Sequence, residues 1–373
     1  MKVLVFFTYN TSILDWEESG HIERESNFYK KFSKKHNVDF IFFTYGNSTD
    51  LTTAKKYFDF KVIPIYKYKK KYNNKYLNFI NSLTFPFFIR KINNDFDIMR
   101  TNQLNGAWIP ILYKILYKKP LIIRTGYDAL SFKRHEKKKL FVKGFYYFLT
   151  KIALSISDKY YSTSKTDIEK IKSEFSVEEN KITYVPNWVE NRTTNPNKSI
   201  SVDTFISVGR LEKQKNFEYL IKSFENSEYS LNIVGTGSQE KSLKTISESH
   251  NARVNFIGRL SNSDLLTLLK TYKIFISSSL YEGNPKSVLE AMNSGCMIIA
   301  NKTPNLNEFL THNENCIFFD HSKDNLIEVI NLAVKNPSLV QKIANEGFKT
   351  VQKNNSLDKI INIEFSDYKD LVN

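Results

Sequence analysis

Residues 273–301, KIFISSSLYEGNPKSVLEAMNSGCMIIAN, decide the fold of this chain. The stretch starts with the apolar run KIFIS and passes through the loop YEGNP. It continues as KSVLEAMNS, with apolar residues at helical spacing, and ends in the apolar run MIIAN. Asn284 is a favourable N-cap, Pro285 a favourable first helical residue and Gly295 a favourable helix end. Strand, loop, helix and strand in this order predict a βαβ unit of a parallel sheet.

Apolar runs of the same kind recur along the whole chain, each followed by a segment of helical length. In the first half they are 3–7, 38–45, 61–66, 96–101, 120–125, 159–164 and 182–187. In the second half they are 204–210, 230–237, 254–259, 273–279, 297–301 and 316–320. The runs are continuous rather than alternating, which is typical of strands buried on both faces. They predict an α/β fold of two Rossmann-like, doubly wound parallel-sheet domains, with ligands at the carboxyl ends of the strands.

The domain organisation follows from length and composition. A chain of 373 residues is long enough for two domains of ordinary size. Residues 189–203 are polar and rich in Asn, Thr and Ser, which favours an interdomain linker. We therefore expect an N-terminal domain at 1–190, a linker at 191–203 and a C-terminal domain at 204–355. A final helix at 356–373 is expected to pack back toward the N-terminal domain.

The net charge of +15 is strongly basic, and much of it lies in two aromatic-containing segments, 67–76 and 133–148. Such a charge attracts polyanions. Three interpretations stay open: solvated faces of a lysine-rich protein, a surface resting on anionic membrane lipid, and a nucleic-acid partner. No nucleic-acid-binding motif appears, so the third is the weakest and no nucleic-acid partner is expected.

The remaining composition bounds the class of protein. Hydrophobic residues make up 41% of the chain, which excludes a disordered protein. The N-terminal apolar run is too short for a signal peptide and is interpreted as a first strand. The most apolar long segment, 140–156, is interrupted by two lysines, so no transmembrane span is predicted. Cys296 and Cys316 lie in apolar runs and are interpreted as core residues in a reducing compartment.

The loop and helix start within 280–300 predict an anion site. A helix N-terminus at the carboxyl end of a parallel strand presents free backbone N–H groups, and Lys286 and Ser287 add donors. Arg210 and Lys215 follow another strand and could converge on the same anion, the guanidinium as a bidentate phosphate ligand. The alternative for these two residues, a pair of solvated loop charges, stays open.

Glu282 and Glu290 stand on either side of this helix start. A carboxylate beside a phosphate site repels phosphate and is suited to accept hydrogen bonds from hydroxyls. One glutamate on the ribose and one on the sugar of a nucleotide-diphospho-sugar is a consistent interpretation. The alternatives are a surface helix position for Glu290 and a loop carboxylate that caps amides for Glu282.

Four segments occur in a familiar order and spacing: VGRLEKQKNFEYLIKSF (208–224), IVGTG (233–237), FIGR (256–259) and YEGNPKSVLEAMNSGCMIIA (281–300). Together they resemble glycosyltransferase family 4, and the resemblance covers nearly all of 182–320. In the first half it is weaker. SGHIERESNFYKKF (19–32) resembles the glycine loop and first helix, and VPNW (185–188) resembles the segment entering the hinge. The resemblance implies the GT-B architecture, with two domains facing across a cleft, and a retaining transferase.

The resemblance also implies roles for particular residues. The implied donor-binding residues are Gly20, Gly209, Arg210, Lys215, Glu282, Gly283, Asn284, Pro285, Lys286, Ser287 and Glu290. Arg210, Lys215 and Glu282 are the implied catalytic residues. The two cations bind the diphosphate and offset charge on the departing nucleotide, while Glu282 contacts the donor sugar. Glu290 would hold the ribose hydroxyls.

The resemblance also implies the substrates. No metal or other cofactor is required, and the donor is a nucleoside-diphosphate sugar, with uridine expected on frequency. The acceptor is expected to be a saccharide or a polyprenol- or lipid-linked saccharide. With the basic segments, this suggests a cytoplasmic protein, peripheral on the inner face of the cell membrane. Such a protein would assemble a bacterial surface polysaccharide such as capsule or lipopolysaccharide.

Some positions depart from the family pattern. A histidine often faces the donor sugar after the strand that here ends at 125, where this chain has Tyr127 and Asp128 as candidates. His135 is interpreted as a surface residue. Trp188 replaces a usual glycine, with packing favoured over stacking on a ligand.

Rival classes are a non-catalytic GT-B partner subunit, a GT-B sugar-nucleotide epimerase, a dinucleotide oxidoreductase using VGTGSQEKS (234–242) and a glycoside hydrolase. The presence of both implied cations and both glutamates argues against the first.

Overall fold

The computed structural model of the protein describes residues 1–126, 129–135, 139–193 and 203–372. The chain forms two units. The first comprises Met1–Pro186 together with the C-terminal residues from Ile361, and the second comprises Asn187–Ile360. Each unit is built on one parallel sheet, and every predicted apolar run contributes a strand.

The first sheet contains β1 (Lys2–Phe6), β2 (Asp39–Thr44), β3 (Lys61–Pro64), β4 (Ile98–Thr101), β5 (Leu121–Thr125), β6 (Lys159–Ser162) and β7 (Ile182–Tyr184). Neighbouring strands are parallel and are ordered β3-β2-β1-β4-β5-β6-β7. Its helices are α1 (Ile13–Glu18), α2 (Ile22–His36), α3 (Thr49–Lys55), α4 (Lys75–Ser82), α5 (Phe85–Ile92), α6 (Trp108–Tyr117), α7 (Ala129–His135), α8 (Leu140–Ile156) and α9 (Lys165–Glu174).

The second sheet contains β8 (Thr204–Val208), β9 (Ser230–Val234), β10 (Val254–Gly258), β11 (Ile274–Ser277), β12 (Met297–Asn301) and β13 (Ile317–Phe319). The strands are parallel in the order β10-β9-β8-β11-β12-β13. The helices are α10 (Phe217–Ser223), α11 (Glu240–Ser249), α12 (Asn262–Leu269), α13 (Lys286–Asn293), α14 (Leu326–Val334) and α15 (Pro337–Asn355). The last helix, α16 (Leu357–Val372), runs on into the first unit.

Burial on both faces of the second sheet explains its continuous apolar runs. Along β11, Ile274 and Ile276 pack into one apolar cluster, while Phe275 between them packs into another. β12 behaves in the same way, with Met297 in the first cluster and Ile298 in the second. Successive side chains of a strand point to opposite faces, so both faces must be covered by helices.

A buried charge cluster fixes α16 to the first unit. Glu364 is fully buried and accepts hydrogen bonds from Arg100 on β4, at 3.1 Å, and from Arg124 on β5, at 2.5 Å. Tyr368 donates to the other oxygen of the same carboxylate at 3.2 Å. The end of the chain therefore completes the core of the unit that the start of the chain builds.

Two further predictions can be compared with the structure. Cys296 and Cys316 are both buried and neither forms a disulfide, as predicted for core residues, and burial raises the pKa of the Cys316 thiol to about 12. None of the helices in the described ranges is both long and apolar enough to cross a membrane.

The boundary between the units lies at Pro186 and Asn187, earlier than the linker expected at 191–203. Residues 187–193 belong to the second unit, while 194–202 lie outside the described residues.

Candidate active site

The candidate site lies where the strand order of the second sheet reverses. β8 and β11 are neighbours, yet the chain moves outward from β8 on one side and from β11 on the other. The Ser207 hydroxyl donates to the Ile276 carbonyl at 2.6 Å and joins the two strands near their carboxyl ends. Ligands of open α/β sheets bind at such a reversal, because the loops on either side diverge there.

The two loops that leave β8 and β11 are hydrogen-bonded to each other. The Leu280 N–H donates to the Gln214 carbonyl at 2.9 Å, and the Ser278 hydroxyl donates to the Lys215 carbonyl at 2.7 Å. The Gln214 side-chain amide donates to the Tyr281 carbonyl at 2.8 Å. The basic loop and the glutamate loop are therefore held as one structure.

Lys215 and Glu282 form an ion pair inside this structure. The Lys215 ammonium donates to Glu282 Oε1, and the two side chains are only 15% and 7% exposed. Gln214 Nε2 approaches Glu282 Oε2 at 3.5 Å. The alternative that Lys215 is a solvated loop charge is therefore wrong. Glu282 is held by the side chains of Lys215 and Gln214. A ligand that paired with the Lys215 ammonium would leave the Glu282 carboxylate without that partner.

Arg210 differs from Lys215 because it is exposed. The loop that carries it is shaped by Glu212, whose N–H donates to the Arg210 carbonyl at 2.7 Å. Glu212 in turn accepts from the Ser238 amide at 3.0 Å and the Ser238 hydroxyl at 2.7 Å. These two hydrogen bonds hold the pKa of Glu212 below its usual range, so its carboxylate remains a fixed anchor for the loop.

Glycines allow close packing around the basic loop. A Cβ at Gly209 would lie 3.0 Å from the Lys215 side chain. A Cβ at Gly235, whose φ is +139°, would lie 2.0 Å from the Gly209 carbonyl oxygen, and one at Gly237 would lie 2.5 Å from the Leu211 carbonyl oxygen. The glycine segment after β9 thus packs on the neighbouring loop backbone. Its glycines have a packing role there, which explains the glycines of VGTGSQEKS without a dinucleotide.

The N-terminus of α13 is built differently from the sequence prediction. Asn284 does not cap the helix, because Pro285 occupies the N-cap position and Lys286 is the first helical residue. The Asn284 carboxamide oxygen accepts instead from the Asn187 N–H at 2.8 Å. Since Pro285 offers no capping side chain, the first-turn N–H groups remain suited to an anion.

Glu290 lies on α13 and is only 8% exposed, so its interpretation as a surface residue is wrong. Its Oε1 accepts from Asn262 Nδ2 at 3.2 Å, which fixes the carboxylate from the start of α12. Asn262 was not predicted as a site residue, because it lies 28 residues away along the chain in an unremarkable helix start.

Most of the residues implied as donor-binding lie on the β8 loop, the β11 loop and α13: Gly209, Arg210, Lys215, Glu282, Gly283, Asn284, Pro285, Lys286, Ser287 and Glu290. Gly20 belongs to the first unit, between α1 and α2, with a φ of +73°. Tyr127 and Asp128 lie outside the described residues, as does the side chain of His135. Trp188 is 5% exposed, which agrees with packing.

The two parallel α/β sheets and the likeness to solved structures define the fold class as GT-B, as predicted. HepE from Anabaena, in its complex with UDP-glucose, has the same fold with a TM-score of 0.76 and 14% identity, over 99% of this chain and 100% of that chain. A sucrose-phosphate synthase from Thermosynechococcus elongatus gives a TM-score of 0.79 and 14% identity, over 100% of this chain and 99% of that chain. At these identities the likeness shows the fold alone.

The family match lies within the second unit. Residues 192–350 match the family model described as glycosyl transferases group 1. An uncharacterized glycosyltransferase from Haemophilus influenzae is 29% identical over 167 residues, which are 42% of this chain and 46% of that relative. The chain spans about half the length of the curated relatives it matches.

Proposed function

We propose that the protein is a retaining glycosyltransferase of family 4 that needs no metal. It transfers a sugar from a UDP-sugar to a saccharide or lipid-linked saccharide in the assembly of a bacterial surface polysaccharide, such as capsule or lipopolysaccharide. The observation that carries this proposal is the joined structure of Lys215, Glu282 and the α13 N-terminus between β8 and β11. The match of residues 192–350 to glycosyl transferases group 1 supports it.

The proposed chemistry depends on charge. Negative charge grows on the diphosphate as the bond between the sugar anomeric carbon and the phosphate oxygen breaks. Arg210, Lys215 and the first N–H groups of α13 are positive groups that stabilise this charge more strongly in the transition state than in the bound donor. When the diphosphate takes the Lys215 ammonium, Glu282 is free to accept hydrogen bonds from sugar hydroxyls.

Retention follows if attack and departure occur on the same face of the sugar. The acceptor hydroxyl forms the new bond to the anomeric carbon, and its proton passes to the departing phosphate oxygen. Glu290, oriented by Asn262, accepts from the two ribose hydroxyls and sets the position of the nucleotide.

A thermal-shift screen tests the donor site. UDP, GDP, ADP and CMP are each added to the purified protein, with and without a chelator, because a ligand that binds only the folded state raises its Tm. We expect a shift with UDP that the chelator does not reduce and that is absent in Arg210→Ala and Glu290→Ala. A shift with another base would reassign the donor. No shift with any nucleotide would favour the non-catalytic partner subunit.

The proposal extends to an anionic membrane surface as a partner of the first unit. Helices α4 and α8 each carry a stripe of exposed large apolar side chains: Tyr76 and Ile80 on α4, continued by Leu83 directly after its end, and Phe141, Phe148 and Ile152 on α8. Leu77 and Leu140 beside these stripes are exposed as well. Spacings of four, seven and eleven residues keep each stripe on one helical face. The helices meet at Phe79 and Phe145, whose ring centroids are 6.3 Å apart.

The surroundings of these stripes are basic. Residues 61–94 and 139–157 contain no Asp or Glu, while seven lysines lie in the first range and three in the second. The lysine-rich loop before α4 is held against that helix, because the Tyr72 N–H donates to Asn78 at 2.7 Å and Asn81 donates to the Lys70 carbonyl at 3.2 Å. Apolar side chains flanked by fixed cations suit a surface of anionic lipid.

Vesicle flotation tests this partner. The protein is mixed with phosphatidylcholine vesicles with and without phosphatidylglycerol, and we expect stronger flotation with the anionic vesicles. The double variant Phe141→Ser and Phe148→Ser should float poorly. The control, Leu332→Ser, removes an apolar side chain that is 71% exposed on α14 and should behave as wild type. Equal binding to neutral and anionic vesicles would disprove the anionic surface as a partner.

A further inference from the structure

The segment 187–192, here called the strap, fastens the N-terminal side of α13. The Asn187 N–H donates to Asn284 Oδ1 at 2.8 Å, and Asn187 Nδ2 donates to the Asn284 carbonyl at 2.5 Å. Both residues are almost fully buried, with exposures of 6% and 5%. Two hydrogen bonds, both donated by Asn187, therefore join residues that are 97 positions apart in the sequence.

The strap also fastens the C-terminal end of the same helix. Asn293, the last residue of α13, donates from its side chain to the Glu190 carbonyl at 3.2 Å. The Arg192 guanidinium donates to the Asn293 carbonyl at 3.3 Å, and Gln352 Nε2 donates to the Glu190 carbonyl at 2.9 Å. The position of α13 is thus defined at both ends by one short segment.

The strap is itself fixed on the end of α15. Asn355 Nδ2 donates to the Asn187 carbonyl at 2.8 Å. The Val189 N–H donates to the Asn355 carbonyl at 2.9 Å, and the Leu357 N–H donates to the Val189 carbonyl at 2.9 Å. Asn187 therefore uses its amide, its side chain and its carbonyl at once, and it connects α15 with the turn that precedes α13.

We infer that Asn187 is a positioning residue of the donor site. Through Asn284 it fixes the turn 283–286, and with it the direction in which the first N–H groups of α13 face the diphosphate. This role rests on the proposed function. Because a shift of about 1 Å in a positioning group can reduce turnover by roughly 10²-fold, a residue that never touches the donor can still control its reaction.

Three variants test the inference. Asn187→Ala and Asn187→Asp both remove the side-chain donor to Asn284, and the aspartate does so without changing the shape of the residue. The matched control is Asn315→Ala, because Asn315 is equally buried at 4% exposure and fixes its own turn through Phe309 and Thr311. Each variant is measured for unfolding, for kcat and KM, and for hydrogen exchange of the peptide covering 283–288.

We expect all three variants to lose similar stability. Only the Asn187 variants should lose about 10- to 100-fold in kcat/KM and exchange faster over 283–288. Wild-type turnover in Asn187→Asp, or unchanged exchange over 283–288 in both Asn187 variants, would overturn the inference. If the wild-type protein binds no nucleotide, the proposed function fails and with it the donor role of Asn187, while the exchange measurement still decides whether Asn187 fixes the turn.

Discussion

At the scale of single residues, the chemistry of the candidate site depends on the contact between Lys215 and Glu282. Each side chain neutralises the other in a place that water hardly reaches. Under the proposed function, a diphosphate would replace Glu282 as the partner of Lys215, and the carboxylate would then be available to the sugar. The same pair would in this way couple binding of the phosphate to binding of the sugar.

Variants of this pair distinguish its contribution to stability from its contribution to catalysis. Lys215→Ala leaves the Glu282 carboxylate buried without its counter-charge, which should lower the free energy of unfolding by about 3–5 kcal/mol. Turnover should fall by roughly 10²–10³-fold. The double variant Lys215→Ala with Glu282→Gln should regain much of the stability and none of the turnover. Urea unfolding and sugar transfer measure the two effects, and recovery of turnover in the double variant would contradict the assigned role.

Arg210 is exposed, so its substitution should reduce turnover without reducing stability. Arg210→Ala should leave the free energy of unfolding within about 0.5 kcal/mol of wild type. Its turnover should fall by roughly 10²–10³-fold, the scale of one lost electrostatic donor. Lys213→Ala is the matched control, since Lys213 is an exposed cation of the same loop and should be silent in both assays. Near-normal turnover of Arg210→Ala would show that this arginine does not stabilise the leaving group.

At the scale of the element, α13 shows how far local sequence determines structure. The helix, its buried face and its termination before Gly295, whose φ is +76°, follow from local spacing and composition. The cap does not, because Asn284 has two possible partners, the helix N–H groups and the distant Asn187. The distant partner prevails because it is itself buried and would otherwise leave a donor unsatisfied. Sequence spacing carries no information on such a competition.

Helix α16 is a second element that local sequence predicts without predicting its distant contacts. Its apolar spacing predicts a helix, but the burial of Glu364 depends on arginines that are 264 and 240 residues away. Glu364→Gln keeps the shape and leaves Arg100 and Arg124 without their counter-charge, so the free energy of unfolding should fall by about 3–5 kcal/mol. Asp370→Asn on the same helix is exposed and should change it by less than about 0.5 kcal/mol.

Chemical denaturation of the two α16 variants, followed by circular dichroism, gives the comparison. Equal stabilities would mean that the two arginines are satisfied without Glu364. A loss of stability in Glu364→Gln alone would show that the Glu364 carboxylate stabilises the first unit, to which it belongs.

At the scale of the whole molecule, composition predicts whether a segment is a strand, a helix or a linker better than it predicts where the segment begins and ends. The polar composition of 189–203 predicts a linker. Its first residues nevertheless belong to the strap, which contacts α13 and α15 through backbone carbonyls and amides. Backbone groups of this kind are the same in every sequence, so composition cannot reveal their partners. The alternation of strands and helices, in contrast, repeats many times along the chain. It therefore predicts the two sheets without knowledge of these backbone contacts.

The net charge of +15 gives the last prediction, which concerns ionic strength. If lysines around α4 and α8 bring the protein to anionic lipid, vesicle binding should weaken from 50 mM to 500 mM NaCl, because exposed charges are screened over about 10 Å at 0.1 M salt and less at higher salt. The exposed rings of Phe141 and Phe148 should retain part of the binding at high salt, since apolar insertion does not depend on screening. Flotation across a salt series therefore separates the two contributions. Salt-independent binding by wild type would mean that the lysines do not act, and an unchanged high-salt fraction in Phe141→Ser with Phe148→Ser would mean that the rings do not insert.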